Sequence, residues 1–160
     1  MIRANLNGIK KVKAKLRANS TYARIANVAV KEIKKTIVSG NSPVKGKGRY
    51  QRYSPSYLDA IDAGYGAVGR YGKKPLPVNL VLSGKMINSL AFSISGGRIL
   101  IEFTDKKAEY HDLLGAGKSK VLRRMLPTRN GEKLSARITK EIKAEITIVK
   151  NLLIRLGNTA

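Results

Sequence analysis

The stretch Pro75-Leu76-Pro77-Val78-Asn79-Leu80-Val81-Leu82-Ser83-Gly84-Lys85-Met86-Ile87-Asn88-Ser89-Leu90 decides the fold. Two prolines hold its start extended, because proline fixes φ and restrains the residue before it. Ser83 then reads as the cap of a helix of about two turns over Gly84–Leu90, with Met86, Ile87 and Leu90 facing inward. Ala91-Phe92-Ser93-Ile94-Ser95 follows and alternates apolar with polar residues. Arg98 to Phe103 is more continuously apolar, and Gly96-Gly97 lies between the two runs. That spacing predicts a hairpin, since a two-residue primed turn needs positive φ. No catalytic motif has this form.

Outward from this centre the pattern is helical. On the N-terminal side, Ile2, Leu6, Ile9, Val12 and Leu16 recur at three and four residues and predict a helix over 2–17. A second helix is expected from Ser20 to Val38 on Ile25, Val28, Ala29, Ile33 and Ile37, capped by Asn19 or Ser20 and ended by Gly40. Residues 40–75 are rich in glycine, tyrosine and basic residues, and read as a loop that orders on assembly. Within it, Ser54-Pro55 has the form of a cap with proline at the first helical position, opening a short helix through Tyr57, Leu58 and Ile61. Toward the C-terminus, Ala108–Leu114 is expected as a strand or short helix closed by Gly115. Leu122–Met125 reads as an edge strand. A long helix is expected over 131–157 on Leu134, Ile138, Ile142, Ile146, Val149 and Leu153.

With 160 residues the chain has the length of about one domain. Its 42% apolar content is that of an ordinary globular protein. It contains no cysteine, which excludes disulfides, thiolate metal sites and a thiol nucleophile in this sequence. Neither a membrane-spanning run nor a signal peptide is expected. Charge is the extreme property: 32 Lys+Arg face 10 Asp+Glu, a formal net charge of +22. A solvated surface, contact with a polyanion, and contact with acidic neighbours in an assembly are all consistent with it.

The residues that carry reaction chemistry elsewhere are isolated here. His111 is the single histidine, so a His-based metal site is excluded, and a structural or surface role is the simpler reading than a general base. Asp59 and Asp62 lie three apart on a helix, as in a solvated face. Ser83 lacks the Gly-x-Ser-x-Gly surroundings of a nucleophile elbow. The glycines at 46, 48 and 64–72 match neither a dinucleotide loop nor a Walker loop. Tyrosines 50, 53, 57, 65 and 71 alternate with basic residues, a pattern of either an ordered protein interface or a stacking surface for single-stranded nucleic acid. RNA-binding sheet motifs and tryptophan are absent.

Pro77-Val78-Asn79-Leu80-Val81-Leu82-Ser83-Gly84-Lys85-Met86-Ile87-Asn88-Ser89-Leu90 resembles the Pro-x-Asn-Leu-x-Leu-Thr/Ser-Gly-x-Met-x-x-Ser-Leu segment of bacteriophage virion-morphogenesis or tail-completion proteins. Ser42-Pro43 with Gly46-Lys47 resembles that family's Ser-Pro-x-x-Gly-Lys loop, and Ser54-Pro55-Ser56-Tyr57 the stretch after it. The Gly96-Gly97 hairpin, Tyr110-His111 and Arg124-Met125-Leu126-Pro127 follow in the family's order, with Met125 departing from the usual Arg-Pro-Phe-Leu. The likeness covers roughly residues 20–150.

The resemblance implies a non-enzymatic virion subunit at the neck and tail junction, assembled in the host cytoplasm, that joins head to tail within a six- or twelvefold ring around the DNA path. It implies no cofactor. Expected partners are further copies of the chain, other neck, portal or tail proteins, and packaged DNA through non-specific contacts. The alternative is a standalone non-specific nucleic-acid-binding protein. The expected fold class is α+β: a small antiparallel sheet over 76–128, packed with a helical arm over 1–39 and a long C-terminal helix. The candidate interface or DNA-facing set is Lys10, Lys11, Lys13, Lys15, Lys45, Lys47, Arg49, Tyr50, Arg52, Tyr53, Arg70, Tyr71, Lys73 and Lys74. The structural set of the motif is Pro77, Asn79, Leu80, Leu82, Ser83, Gly84, Met86, Ser89 and Leu90, with Arg124, Leu126 and Pro127.

Overall fold

A computed structural model of the chain describes residues 2–5, 19–115 and 120–157. The elements run β1 (Ile2–Asn5), α1 (Asn19–Val38), α2 (Pro55–Asp62), α3 (Gly66–Arg70), α4 (Lys85–Asn88), β2 (Leu90–Ser95), β3 (Arg98–Phe103), α5 (Lys107–Glu109) and α6 (Ala136–Gly157). The fold is α+β, as expected. An antiparallel sheet in the order β1-β3-β2 packs with the long helices α1 and α6.

The hairpin forms as the sequence predicts. Leu90 pairs with Phe103 and Ser95 with Arg98, while Gly96 and Gly97 take φ of 55° and 69°. These values belong to the mirror-image turn that matches strand twist. Along β3, Ile99, Ile101 and Phe103 are buried and the residues between them are not. On that face lies α1, whose Ile25, Ala26, Ala29, Ile33 and Ile37 are fully buried. Along α1 packs α6, which adds Ile138, Ile142 and Val149 to the same core. Arg24 Nε donates to Glu145 Oε1 at 2.9 Å and ties the two helices at the surface, an exposed link worth little. Among the described residues no helix is long and apolar enough to cross a membrane.

Four expectations are corrected. Residues 2–5 are not helical. Ile2 pairs with Phe103 and Asn5 with Leu100, giving β3 a second neighbour; Ile-Arg-Ala-Asn also alternates with period two, and an open strand edge selects that reading. The rest of the expected helix lies outside the described residues. Leu122–Met125 forms no strand with a neighbour, for reasons given below. The regular helix at the C-terminus starts at Ala136 rather than near 131, because the preceding residues fold back: Val44 bridges Leu134 and Ser135 N–H donates to Pro43 O at 2.7 Å. Finally, residues 41–50 are not an open loop but pack against the rest of the chain. Ser42, Pro43, Val44 and Tyr50 are buried, and Asn41 bridges Arg49.

Gly40 joins α1 to the decisive stretch. At φ 81° it ends the helix, with Gly40 N–H on Ile37 O and Asn41 N–H on Thr36 O. This pair of bonds satisfies helix-end carbonyls through a left-handed residue. A Cβ at position 40 would also meet Pro77 Cβ and Val78 O, each at 3.1 Å. Gly40→Ala is therefore expected to lower the unfolding free energy by about 1–2 kcal/mol, measured by urea denaturation; an unchanged midpoint would show that the helix end and residues 77–78 separate freely.

Candidate functional site: a basic, tyrosine-lined cleft

A short helix, α5, continues as a π-helical turn over Tyr110–Leu114 and ends at Gly115. This turn places His111 and Asp112 on different sides. Asp112 is fully buried. Its Oδ1 accepts from Met125 N–H and from Leu126 N–H, the latter at 3.0 Å. Its Oδ2 lies 3.6 Å from Arg124 Nη2. Arg124 in turn donates from Nη2 to Glu132 Oε2 at 2.6 Å and to Thr128 Oγ1 at 2.8 Å. Glu132 Oε2 also accepts from Thr128 and Arg129 N–H, both at 3.1 Å. Arg123 N–H donates to His111 O at 2.7 Å, and the N–H groups of Met125, Leu126, Thr128 and Arg129 donate to carboxylates in place of a strand ladder, which is why the segment is not a strand. Burial pushes the Asp112 carboxyl up, against the pull of the two backbone N–H groups and Arg124.

On the other side a cleft of about 1010 Å³ opens between α2 and the segment 79–86. His111 and Arg123 line it, with Tyr53, Tyr57, Lys73 and Asn79. Arg123 is 6% exposed. Its Nη2 reaches only Gln51 O and Arg52 O, at 3.4 and 3.5 Å, and its Nε has no partner. Among the described residues it makes no ion pair. Burial lowers its affinity for a proton, and the nearby Tyr53, Tyr50 and Tyr57 hydroxyls oppose that. The guanidinium lies 5.7 Å from the Tyr53 ring centroid, and the Lys73 ammonium 5.4 Å. Tyr53 packs against Tyr57 at 4.8 Å with a 52° tilt, and its hydroxyl donates to Asn79 O.

Lys73 is held by carbonyl oxygens. Its Nζ donates to Asn79 Oδ1, to Asn79 O at 3.2 Å and to Val81 O at 2.6 Å. Burial nevertheless pushes its pKa down to about 8. The His111 imidazole is pushed below its ordinary value by burial and then by Arg123, and its Nδ1 is buried without a partner.

The candidate set is therefore split. Tyr53 and Lys73 meet in the cleft, with Arg52 on its lining. Tyr50 is buried and donates its hydroxyl to Arg124 O at 3.2 Å, so it is structural; burial raises its pKa. Lys45, Lys47, Arg49, Arg70, Tyr71 and Lys74 are exposed away from the cleft lining. Lys10, Lys11, Lys13 and Lys15 lie outside the described residues.

In the motif set, Met86 and Leu90 are buried, and Leu80 packs against the core. Ser89 Oγ donates to Met86 O and accepts from Asp105 N–H, joining α4 to the end of β3. Pro77 and Leu82 are exposed, the latter on the cleft. Ser83 is not the helix cap. That position falls on Gly84, and Ser83 Oγ stands 3.4 Å from Lys85 N. Arg124 and Leu126 are buried, with Pro127 partly so. Asp59 and Asp62 are exposed on α2.

The sequence reading missed Arg123 and undervalued His111 and Asp112. Consecutive arginines before an apolar pair, in a segment without helical period, were the available signal. Among the described residues no cluster of three or more His, Cys, Asp or Glu is placed to hold a metal ion. No family model matches the chain, and comparison with curated proteins and with solved structures gives no match.

Two measurements test this geometry. Asp112→Ala removes a buried partner of Arg124 and the acceptor of two backbone N–H groups, so a loss of about 3–5 kcal/mol is expected in denaturant unfolding; Asp112→Asn, which keeps an acceptor oxygen, should lose less. A loss under about 1 kcal/mol, the range of an exposed pair, would show the network to be dispensable. For Lys73, between its folded pKa of about 8 and the ordinary 10.5 the unfolded chain holds a proton that the folded chain has released. Stability contributed through this group therefore rises with pH across that window. Lys73→Met should abolish that rise in urea titrations at about pH 7.5 and pH 9.5; identical slopes in the two proteins would refute it.

Proposed function

We propose that the chain is a structural, non-enzymatic virion protein of a tailed bacteriophage that completes the neck or tail junction and joins head to tail within a homo-oligomeric ring around the DNA path. One observation supports this best. Two of the pieces that carry the family likeness, distant in sequence, are bonded to each other, and a third is bonded within itself. Ser42 Oγ donates to Arg124 O at 2.7 Å, and Asn79 N–H bonds back to Pro77 O within the motif. Tyr53, just before Ser54-Pro55, donates to Asn79 O. Their polar groups are spent on holding backbone, as in a scaffold.

A ring needs two different surfaces that close by rotation. On α6, Ile148 and Leu152 stand four residues apart, 48% and 41% exposed. Their spacing makes one apolar stripe suited to burial against a neighbouring copy. The charge of +22 suits acidic neighbours or the phosphates of the DNA path. The exposed Tyr65 and Tyr71 beside Arg70 and Lys74 favour the second reading, a standalone non-specific nucleic-acid-binding protein.

Purified protein, alone or with neck and portal proteins, is expected to form closed rings by light scattering, and Ile148→Asp with Leu152→Asp to return them to monomers. A wild-type monomer under every such condition would overturn the connector reading. Only weak, salt-labile DNA binding is expected; stoichiometric binding at about 0.15 M salt would favour the alternative. Lys10, Lys11, Lys13 and Lys15 changed together to Gln should separate lost DNA retention from failed head–tail joining.

A further inference from the structure

We infer that the cleft between α2 and segment 79–86 is a docking site for an acidic polypeptide segment, whose carboxylate seats on Arg123. Charge complementarity carries the inference. Arg123 and Arg124 are adjacent and both nearly fully buried. For Arg124 the fold provides two carboxylates, Asp112 and Glu132. Arg123 has none among the described residues, only two long contacts to carbonyl oxygens and an unpartnered Nε. A buried cation without an anion is costly, and its planar fork matches a carboxylate. Asp105 also lines the cleft; its Oδ1 accepts from Lys107 N–H at 2.9 Å, and it forms no ion pair with Arg123.

The walls select the class of ligand. Leu80, Val81, Leu82 and Met86 give the cleft an apolar side, opposite Tyr53 and Tyr57. Apolar and tyrosine surface around arginine is the composition of a protein interface. A nucleic acid fits less well. Tyr53 already carries Lys73 and Arg123 near its ring and packs against Tyr57, groups with which a stacked base would compete. A phosphodiester is flanked by nucleosides on both sides, whereas an Asp or Glu carboxylate stands on a short stem that suits a residue only 6% exposed.

This site deepens the acidic-neighbour form of the connector reading and in that sense rests on it, yet it is measured separately. The probe is a synthetic peptide of alternating Glu and Leu, titrated at about 0.15 M salt by calorimetry and by amide chemical shifts. Binding is expected with shifts confined to Tyr53, Lys73, His111 and Arg123. Arg123→Met should weaken it by about 30-fold or more, and Arg123→Lys, which keeps the charge and loses the fork, should fail to restore it. Lys45→Gln with Lys47→Gln, outside the cleft, should change it less than about twofold. Shifts spread over the basic surface of the wild type would overturn the proposal even if Arg123→Met failed to fold. So would an oligothymidylate that competes at the cleft and depends on Arg123 more than the peptide does. Peptide binding at the cleft by a protein that joins no heads to tails would leave this site standing and remove the connector reading.

Discussion

The buried carboxylate of Asp112 is the constraint on which the rest of the structure depends. It lies at 0% exposure and takes the N–H groups of Met125 and Leu126. A segment with no strand partner would otherwise bury those donors at a cost of about 1–3 kcal/mol each. With them satisfied, Met125 and Leu126 enter the core fully buried beside Ile25, Phe103 and Ile138. Arg124 and Glu132 extend the network to the residues that lead into α6. One carboxylate therefore connects the π-helical turn, the crossing segment and the C-terminal helix.

The same network orders the first half of the glycine-rich loop. Arg124 O accepts from Ser42 Oγ and from Tyr50 Oη. Val44 then bridges Leu134, and Lys45 N–H donates to Lys133 O at 2.8 Å. Composition argued that this loop had too little apolar surface to order by itself. In the structure its polar groups find buried acceptors supplied from about eighty residues away, which a count of apolar residues does not register.

Legibility followed the range of the interactions. The hairpin, α1 with its Gly40 end, the Ser54-Pro55 start of α2 and the inward face of α6 rest on periodicity and turn chemistry within a few residues, and all were readable. The strand at Ile2–Asn5, the crossing segment at 123–126 and the late start of α6 depend on partners distant in sequence. At residues 2–5 two periodicities fit the same letters, and only the open edge of β3 chooses between them. The cleft was half legible. Tyr53 and Lys73 stood out as tyrosine among basic residues, but Arg123 acquires its position only from tertiary structure.

That position follows from the anchoring of its neighbour. In an extended backbone successive side chains leave on opposite sides. Arg124 is drawn inward by Asp112 and Glu132, so Arg123 is carried to the other side, toward Gln51, Arg52 and the Tyr53 ring. From one arginine dipeptide the fold obtains a scaffold pair and a buried guanidinium that makes no ion pair among the described residues. Folding returns little for the second of these, two long carbonyl contacts and the Tyr53 ring, where an apolar residue of similar volume would avoid burying a charge. The charge left without a carboxylate among the described residues is the one that the proposed acidic segment would compensate.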